Sequence, residues 1–294
     1  MIRIGIVGSD NSHAIALSQL CNLNDTDAQK AVKGARVVAL YGRVPERNEE
    51  VAEKGKIPTI VKKHTDMIGD VDMVFVVFRH GGLHARHVTP FLEARIPAFV
   101  DKPFAGKASD AKKMIALAKK KRVLLTSFST VRFSQSTTDV VKACNDLGGA
   151  RSAVFAGPSD PESEYGGIHF YGIHAVEVMQ EVMGLGVSAV YATQTGSNTL
   201  ATIEYPDGRN AAVHLNKDAK GGFFASAFCK DGYTGGPMNT SDCYLKGIEQ
   251  MLGMFRSRKR PLSYAQMLEP IRVLDAIVKS VDTGQKVKLP KVKV

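Results

Sequence analysis

The sequence predicts an α/β protein in which an N-terminal doubly wound parallel sheet is followed by an α+β domain with a mostly antiparallel, open sheet. Short runs rich in Val, Ile and Phe alternate with helical segments over the first half of the chain. From about residue 150 onward, short β runs separated by turn residues take over. The length of 294 residues fits two domains of roughly 150 residues each. We therefore expect one domain at 1–126 and a second at 127–294, with the C-terminal helix able to pack back on the first.

Apolar runs that end in glycine, proline or polar residues indicate the strands of the first domain. They are expected at Ile2–Val7, Arg36–Tyr41, Val71–Phe78, Ile96–Val100 and Val123–Ser127. The helices between them are expected at Ser12–Leu20, Glu46–Lys54 (with Pro45 at the start), His84–Ala94 and from an N-cap at Ser109 to about Arg122. Repeated strand–helix–strand units form parallel sheets, and ligands bind at the carboxyl ends of such strands. The loops that matter are then Gly8–His13, Tyr41–Pro45, Phe78–His84 and Asp101–Phe104.

The second domain combines short β runs with a few helices. Strands are expected at Arg151–Ala156, Ser188–Gln194, Thr199–Glu204 and Ala211–Leu215, and helices at His174–Met183, Cys243–Arg258 and Ser263–Asp282. The segment Tyr205–Arg209 is a strong hairpin signal, because its proline sets φ and its glycine accepts a positive φ. Pro270 lies inside the last helix and should kink it or shift its start. An antiparallel sheet with an exposed face can form a subunit interface, so we expect a homodimer or homotetramer.

Composition and charge limit the class of protein. Apolar residues make up 44% and charged residues 23% of the chain, which excludes a disordered, collagen-like or coiled-coil chain. The formal net charge of +10 would suit an anionic partner without naming one. The longest clear apolar run, Met73–Phe78, is far shorter than a membrane helix, and the start of the chain lacks a secretory pattern. With four cysteines and no CxxC pair, we expect reduced thiols in a cytoplasmic protein. As its partner we expect a small molecule, and neither nucleic acid nor a membrane.

The loop after the first strand lies where a dinucleotide fingerprint belongs. The GxGxxG pattern is only partly present, since Gly8 fills the first position but Asp10 and His13 replace the second and third glycines. A carboxylate at position 10 would be repelled by two phosphates, so it must point away or the loop must run differently. The backbone amides of Asn11, Ser12 and His13 could still hold an anion at the helix N-terminus. A plain structural turn is the alternative interpretation.

The end of the second strand bears on the choice of cofactor. It reads Tyr41-Gly42-Arg43 and lacks the acid that usually binds the ribose hydroxyls of NAD. Arg43 could instead contact a 2′-phosphate, so NAD and NADP both remain open with a slight preference for NADP. A solvent-exposed arginine in a turn is the alternative.

Three histidines cluster in the loop and helix after the third expected strand. His80, His84 and His87 could place three imidazoles on one helix face, as a zinc site needs, but Gly81-Gly82 breaks the helix between them. We therefore predict no metal. We expect Arg79, His80 and His84 to line the cofactor site instead.

Three segments of the chain match the motifs of a known family. They are Ile2–Ala14, Asp101-Lys102-Pro103-Phe104, and the glycine-led Gly166–Glu177. Together they resemble the Gfo/Idh/MocA family of NAD(P)-dependent oxidoreductases: the second is similar to the family's Glu-Lys-Pro motif with Asp in place of Glu, and the third to a segment that ends in His-x-x-Asp. The resemblance implies a Rossmann domain followed by a β-sheet domain, and hydride transfer at a hydroxyl-bearing carbon of a sugar, cyclitol or sugar derivative. Lys102 matches the family's active-site lysine and His174 its histidine, whereas the Asp that the family often has four residues before that histidine is Phe170 here.

The chemistry of hydride transfer assigns roles to the same residues. A hydride leaves a carbinol carbon easily only if the hydroxyl proton leaves too, so a base must lie within hydrogen-bond distance of that hydroxyl. His174, expected near a helix start where the dipole disfavours imidazolium, is the expected acid/base. Lys102 is expected to orient the substrate hydroxyl and stabilise the developing alkoxide, with the reverse assignment open. Tyr171 could add a hydroxyl to the relay, Glu177 could orient the imidazole or be solvated, and Arg132 could reach the substrate or lie at the surface.

Three functions compete at this stage. The leading one is an NAD(P)-dependent dehydrogenase or reductase that acts on CH–OH groups. The others are an NAD-dependent glycosidase of the same family, whose cofactor returns unchanged, and a non-catalytic dinucleotide-binding regulator. Net reduction of the nicotinamide in the presence of a free sugar would favour the dehydrogenase over both.

Overall fold

The computed structural model describes residues 1–23, 32–219 and 221–292. These residues form two compact units. The first is drawn from Met1–Ala105, Ser109–Phe128 and Tyr244–Ser263, and the second from Gly106–Ala108, Ser129–Cys243 and Tyr264–Val294. Helical sequence near the C-terminus is thus divided between the two units.

The first unit contains a parallel sheet. Its strands are β1 (Ile2–Val7), β2 (Ala35–Tyr41), β3 (Thr59–Ile60), β4 (Met73–Val76), β5 (Ala98–Val100) and β6 (Leu125–Ser127). They run in the order β3-β2-β1-β4-β5-β6, and every recorded pair is parallel. The central strands are apolar on both faces and fully buried, as parallel sheets covered on both sides require. This arrangement confirms the predicted doubly wound sheet.

The helices that accompany this sheet begin close to where the sequence predicts them. They are α1 (Ser12–Asn22), α2 (Pro45–Gly55), α3 (His84–Glu93) and α4 (Ala108–Lys121), and Pro45 opens α2 as expected. The predicted N-cap at Ser109 is wrong, because α4 begins one residue earlier. The backbone N–H of Ala108 donates to the Asp275 carboxylate at 3.3 Å, so a distant acid takes the capping role that the serine hydroxyl was expected to fill.

The second unit contains a mostly antiparallel sheet, as predicted. Its strands are β7 (Ala150–Pro158), β8 (Ala189–Thr195), β9 (Asn198–Glu204), β10 (Asn210–Asn216), β11 (Phe224–Cys229), β12 (Gly232–Pro237) and β13 (Val287–Lys288). The order is β12-β11-β7-β10-β9-β8-β13, and β7 and β10 form the one parallel pair among these strands. The predicted hairpin joins β9 to β10, with the Tyr205 N–H bonded to the Arg209 carbonyl at 2.9 Å. The strand signal of β12 is hidden by its three glycines, and β11 and β12 were not foreseen.

The helices of the chain beyond residue 130 differ from prediction at one point that affects function. They are α5 (Gln135–Asp146), which was not foreseen, α6 (His169–Met183), α7 (Cys243–Ser257) and α8 (Tyr264–Thr283). The expectation that His174 lies near a helix start is wrong, because α6 begins five residues earlier. Gly172 lies within the helix, where a Cβ would meet Leu215 at 3.1 Å. Pro270 lies inside α8 without shifting its start.

One face of the second sheet carries exposed apolar side chains. Residues alternate between buried and exposed along β8, β9 and β11, as expected for a sheet covered on one face. The exposed members are Tyr191, Leu200, Phe224, Phe228 and Tyr233. Among the described residues, none of the helices has the length and apolar character that a membrane crossing requires.

Candidate functional site

A buried cluster in the first unit joins the loop after β1 to the loop after β5. His13 Nδ1 lies 2.6 Å from Asp101 Oδ2, and Asn11 Nδ2 donates to the same oxygen at 3.1 Å. Asn11 Oδ1 also accepts the backbone N–H of His13 at 3.1 Å and thereby caps α1. The Tyr244 ring packs edge-on against His13, with the ring centroids 5.1 Å apart. The predicted nucleotide loop and the Asp-Lys-Pro loop are therefore held together by side chains.

Asp101 is the charged centre of this cluster. Burial alone would raise the pKa of Asp101, but the charge and hydrogen bond of His13 and the Lys102 ammonium hold it below its ordinary value. Lys102 itself is 2% exposed. Two residues of opposite charge are thus buried at consecutive positions of the Asp-Lys-Pro loop.

The backbone of the loop after β1 has a conformation at Gly8 that favours glycine. Gly8 has φ of +117°, and a Cβ there would lie 2.7 Å from the backbone nitrogen of Phe78. The first glycine is therefore needed for a close approach of two backbone segments. Asp10 turns its carboxylate toward the neighbouring loop, where Oδ2 accepts the Arg79 backbone N–H at 3.3 Å.

A cavity of about 270 Å³ lies beside the ends of β1 and β2. It is lined by Ser9, Asp10, Arg43, Val44, Arg47 and Phe78. Arg43 is exposed at its edge. Arg47, which the sequence analysis missed, donates from Nε to the Ser9 carbonyl at 2.9 Å and pairs with Glu50. Two guanidinium groups therefore line the cavity, and that of Arg47 is already paired with the Glu50 carboxylate.

The histidines after β4 have separate partners. His84 is buried, with Nδ1 2.9 Å from the Pro103 carbonyl and Nε2 2.9 Å from the Phe78 carbonyl. Burial lowers its pKa. His84 therefore connects two ligand-edge loops through its ring nitrogens rather than presenting them to a cavity. His80 Nδ1 accepts the Gly82 N–H at 2.9 Å, and His87 Nδ1 contacts the Leu83 carbonyl at 2.8 Å.

His174 in the second unit has a serine as its partner. Its Nδ1 lies 2.6 Å from Ser129 Oγ, and the histidine is 5% exposed. Two rings pack edge-on against the imidazole, Tyr171 at 5.3 Å and Phe223 at 5.2 Å between centroids. The sequence analysis missed Ser129, since a serine in a loop 45 residues upstream carries no pattern that links it to a helix.

Arg132 lies in the interior, which overturns the expectation that it reaches the substrate or lies at the surface. Its Nε donates to Glu177 Oε2 at 2.8 Å, its Nη2 to Gln180 Oε1 at 2.8 Å, and its Nη1 pairs with Glu181. Burial disfavours the charged guanidinium, but Glu177 and Glu181 outweigh it and raise the pKa of Arg132. Of the two roles considered for Glu177, solvation is wrong, because the carboxylate is buried in this ion pair.

Tyr171 belongs to an aromatic cavity that the sequence analysis did not foresee. The cavity has a volume of about 290 Å³ and is lined by Pro158, Ser159, Asp160, Ser163, Tyr165, Gly167, Phe170, Tyr171 and Lys217. The rings of Tyr165 and Phe170 lie 4.9 Å apart, and those of Phe170 and Tyr171 lie 5.0 Å apart. Lys217 pairs with Asp160 at 3.2 Å. The cavity therefore combines aromatic surfaces with one neutralised ion pair.

His169 opens α6 and lies at the edge of a larger cavity of about 480 Å³ within the second unit. Its Nε2 is 3.0 Å from Asp275 Oδ1. His169 thus contacts Asp275, whereas His174 and Glu177 both contact Ser129. Among the described residues, no three His, Cys, Asp or Glu side chains are grouped as a metal ion would require.

Comparison with known proteins adds to these observations. The family model described as "Oxidoreductase family, NAD-binding Rossmann fold" (Gfo/Idh/MocA) matches residues 2–129. The match covers less than half of the chain and lies in the region that carries the parallel sheet. It is to the family that the sequence motifs resemble. The Asp101–Lys102–Pro103 element and the contact between His13 and Asp101, which we call the His13 clamp, both lie inside the matched region.

A named enzyme is similar to part of this chain. An inositol 2-dehydrogenase of Acidothermus cellulolyticus is 28% identical over 122 residues, which is 40% of this chain and 33% of that protein. The chain therefore aligns with about a third of that relative's length.

Solved structures match the fold of nearly the whole chain. The myo-inositol dehydrogenase of Lactobacillus casei in complex with NAD(H) and myo-inositol has a TM-score of 0.86 at 15% identity, covering 100% of this chain and 98% of that one. An oxidoreductase of Agrobacterium radiobacter in complex with NAD⁺, L-tartaric acid and magnesium has a TM-score of 0.81 at 17% identity, covering 98% of each chain. At such identities the likeness establishes the two-part fold of this chain.

Proposed function

We propose that the protein is an NAD-dependent dehydrogenase that transfers a hydride between nicotinamide and a hydroxyl-bearing carbon of a cyclitol, sugar or sugar derivative. The observation that carries the proposal is the Asp101–Lys102–Pro103 element, with Asp101 clamped to the nucleotide loop by His13 and Asn11. The family match supports the oxidoreductase class. The inositol dehydrogenases among the similar proteins support a ring-shaped polyol as substrate.

The residues around the nucleotide loop fit a pyridine nucleotide. The cavity beside β1 and β2 lies at the carboxyl edge of the sheet, where dinucleotides bind in this fold. Gly8, Asn11, Ser12 and His13 are assigned to the loop that holds the cofactor, and Arg79 and His80 to the neighbouring loop. The His13 N–H is already taken by Asn11, so we assign phosphate binding to the other amides of this turn. His84 supports both loops from within.

Arg43 is assigned to the distal part of the cofactor. If the protein uses NADP, the exposed guanidinium of Arg43 is the group that would pair with the 2′-phosphate. Asp10, in the same cavity, would oppose a phosphate there. The slight preference for NADP that the sequence suggested therefore depends on Arg43 alone, and NAD is the cofactor that we propose.

Lys102 and His174 are assigned the reaction steps, each from its own surroundings. When bound, the nicotinamide ring supplies the hydride acceptor or donor. The Lys102 ammonium, buried next to an ionised carboxylate, would donate a hydrogen bond to the substrate hydroxyl and stabilise negative charge on that oxygen. The His174 imidazole would take the hydroxyl proton during oxidation and return it during reduction. Tyr171, adjacent in the ring cluster, is assigned a supporting hydroxyl.

The aromatic cavity is proposed to bind the substrate ring. Phe170 stands where the resemblance leads us to expect an aspartate, so this part of the cavity offers an apolar surface rather than a charge. The axial C–H face of a cyclitol or pyranose can pack against Tyr165 and Phe170, with its hydroxyls directed to Lys217 and Asp160. The ion pair already neutralises Lys217, which favours an uncharged polyol over an acidic sugar.

The exposed face of the second sheet is proposed to be a subunit interface. Tyr191, Leu200 and Phe228 lie on it with large exposed surfaces, and contiguous apolar patches of this kind mark association sites. Light scattering of the purified protein should give a dimer or tetramer mass. Leu200→Lys combined with Phe228→Lys should lower that mass, while a monomeric wild type would contradict the proposal.

A ligand panel combined with turnover tests the function. NAD should raise the melting temperature in a concentration-dependent way, since a ligand that binds only the folded state stabilises it. With NAD and myo-inositol or another cyclitol, the absorbance of reduced nicotinamide should rise. Lys102→Met should abolish this turnover and leave the affinity for NAD within a few-fold. A Lys102→Met variant with wild-type turnover would contradict the assignment, and no stabilisation by any pyridine nucleotide would contradict the function.

A further inference from the structure

We propose that Ser129 is a positioning residue for His174, whose imidazole it contacts through its hydroxyl. The inference that the contact sets the tautomer and orientation of the ring stands on geometry alone. Its consequence for the reaction rests on the proposed function. Ser129 contacts His174 directly and would act on the reacting groups only through that imidazole.

The contacts of Ser129 fix it from two sides. Its Oγ lies 2.6 Å from His174 Nδ1 and accepts the Val131 N–H at 3.2 Å. Its own backbone N–H donates to Glu177 Oε2 at 2.8 Å. The residue is fully buried and caps the 3₁₀ turn Thr130–Phe133. A rotation of the serine side chain away from the imidazole would therefore break the Val131 contact, and a shift of its backbone would break the Glu177 contact.

A buried ion pair supports this arrangement. Glu177, which receives the Ser129 N–H, also accepts from Arg132 Nε at 2.8 Å. His174, Glu177 and Glu181 are spaced by three and four residues along α6, so they share the helix face that meets Ser129 and Arg132. Glu177 thus acts on the imidazole through Ser129.

The chemistry of a hydroxyl differs from that of a carboxylate at this position. A serine hydroxyl has one proton and two lone pairs, and one lone pair is used by the Val131 N–H. If it accepts from Nδ1–H, the free Nε2 of the neutral imidazole can take a proton from a substrate hydroxyl, and the imidazolium formed in this way can return that proton to an alkoxide. If it donates its proton to Nδ1 instead, the neutral imidazole carries its own proton on Nε2 and donates a hydrogen bond to the substrate oxygen. A carboxylate can only accept, which favours the charged imidazolium. The structure therefore assigns Ser129 the role of a neutral partner that serves both directions of proton transfer.

The experiment compares four forms of the full-length protein: wild type, Ser129→Ala, Ser129→Thr and Ser134→Ala. Ser134 is an equally buried serine that caps α5 through its own side chain and does not touch His174, so it serves as the matched control. The first readout is the ¹⁵N shifts of the His174 ring nitrogens in histidine-labelled protein, with the signals assigned by their loss in His174→Gln. The second is kcat and KM for NAD-dependent oxidation of myo-inositol.

The expected result is specific to Ser129. Ser129→Ala should shift the Nδ1 resonance of His174 and lower kcat by about 10-fold or more with KM within a few-fold, because part of the acid/base contribution is lost. Ser129→Thr should restore both readouts, and Ser134→Ala should leave both unchanged. Unaltered His174 shifts in folded Ser129→Ala would overturn the proposal. An altered His174 shift in Ser129→Ala, together with a wild-type protein that oxidises no polyol, would uphold the Ser129 contact and count against the proposed function instead.

Discussion

Two buried histidines, one in each unit, have opposite kinds of partner. His13 faces the carboxylate of Asp101 at 2.6 Å, whereas His174 faces the hydroxyl of Ser129 at the same distance. A carboxylate favours a fixed Nδ1–H and a charged ring, which suits a clamp between two loops. A hydroxyl imposes no charge and can reverse its hydrogen bond, which suits a group that takes and returns protons. The chemistry of the partner, more than burial, separates a structural histidine from a proposed acid/base.

The strongest way to break this comparison is to remove each imidazole in turn. His174→Gln should lower kcat by about 10²–10⁴-fold, the range that general acid/base groups supply, with the fold retained. His13→Gln should mainly reduce stability and NAD affinity, since its ring holds the nucleotide loop to Asp101. Steady-state kinetics, thermal melts and NAD titrations of both variants check this. If His13→Gln were the variant that lost turnover at saturating NAD while His174→Gln kept it, the two roles would be reversed.

Breaking the ion pair between Arg132 and Glu177 should have the next largest effect, on the stability of the protein. Arg132→Met leaves two carboxylates without their buried partner and should cost about 3–5 kcal/mol in the free energy of unfolding. Urea denaturation measures the loss. Arg132→Met combined with Glu177→Leu should lose less than Arg132→Met alone, because the buried unpaired charge is removed too. Equal losses in the two variants would mean that the charge of Glu177 does not matter.

The clamp in the first unit should respond to acid. The pKa of Asp101 is lowered in the folded protein, so its contribution to stability is present above the unfolded pKa of about 3.9 and is lost as the pH falls through the folded pKa. Asp101→Asn should cost about 1–3 kcal/mol at neutral pH and remove that part of the acid dependence. Unfolding curves between neutral pH and pH 3 compare the two proteins. Parallel curves for wild type and variant over the whole range would contradict an ionised Asp101.

The smallest expected effect concerns the distal end of the cofactor site. Arg43→Ala should weaken NADP binding several-fold more than NAD binding, because only NADP has the 2′-phosphate that the guanidinium would pair with. Lys54→Ala is a matched control, since it removes a cation of the same unit that pairs with Glu50 outside the cavity. Calorimetric titrations with both nucleotides measure the difference. Equal weakening of the two would remove the argument for a phosphate contact.

The first unit could be predicted from the sequence almost element by element. Its strands are buried apolar runs such as Met73–Val76, and the rule that ligands bind at strand ends selects the loops that the structure joins through His13 and Asp101. The pairing itself could not be predicted, because nothing in the pattern of residues 13 and 101 reports a contact across 88 positions.

The second unit resisted prediction where tertiary contacts decide. The helix was expected to begin at His174, but α6 begins at His169 and includes Gly172, which lies close to Leu215. Arg132 was given the usual places for an arginine, a surface or a ligand, although the spacing of Glu177 and Glu181 along one helix face is a signal that could have indicated a buried partner. Ser129 and the cavity around Phe170 have no local signature, since they depend on which segments the fold brings together.

Transfer of a labelled hydride tests the central claim most directly. The protein is incubated with NAD and ring-deuterated myo-inositol, and the reduced cofactor is analysed by mass spectrometry. We predict that the reduced cofactor gains one deuterium in the wild-type protein and that Lys102→Met forms none. A wild type that binds NAD, converts a polyol or glycoside and leaves the recovered cofactor free of deuterium and unreduced would contradict a dehydrogenase.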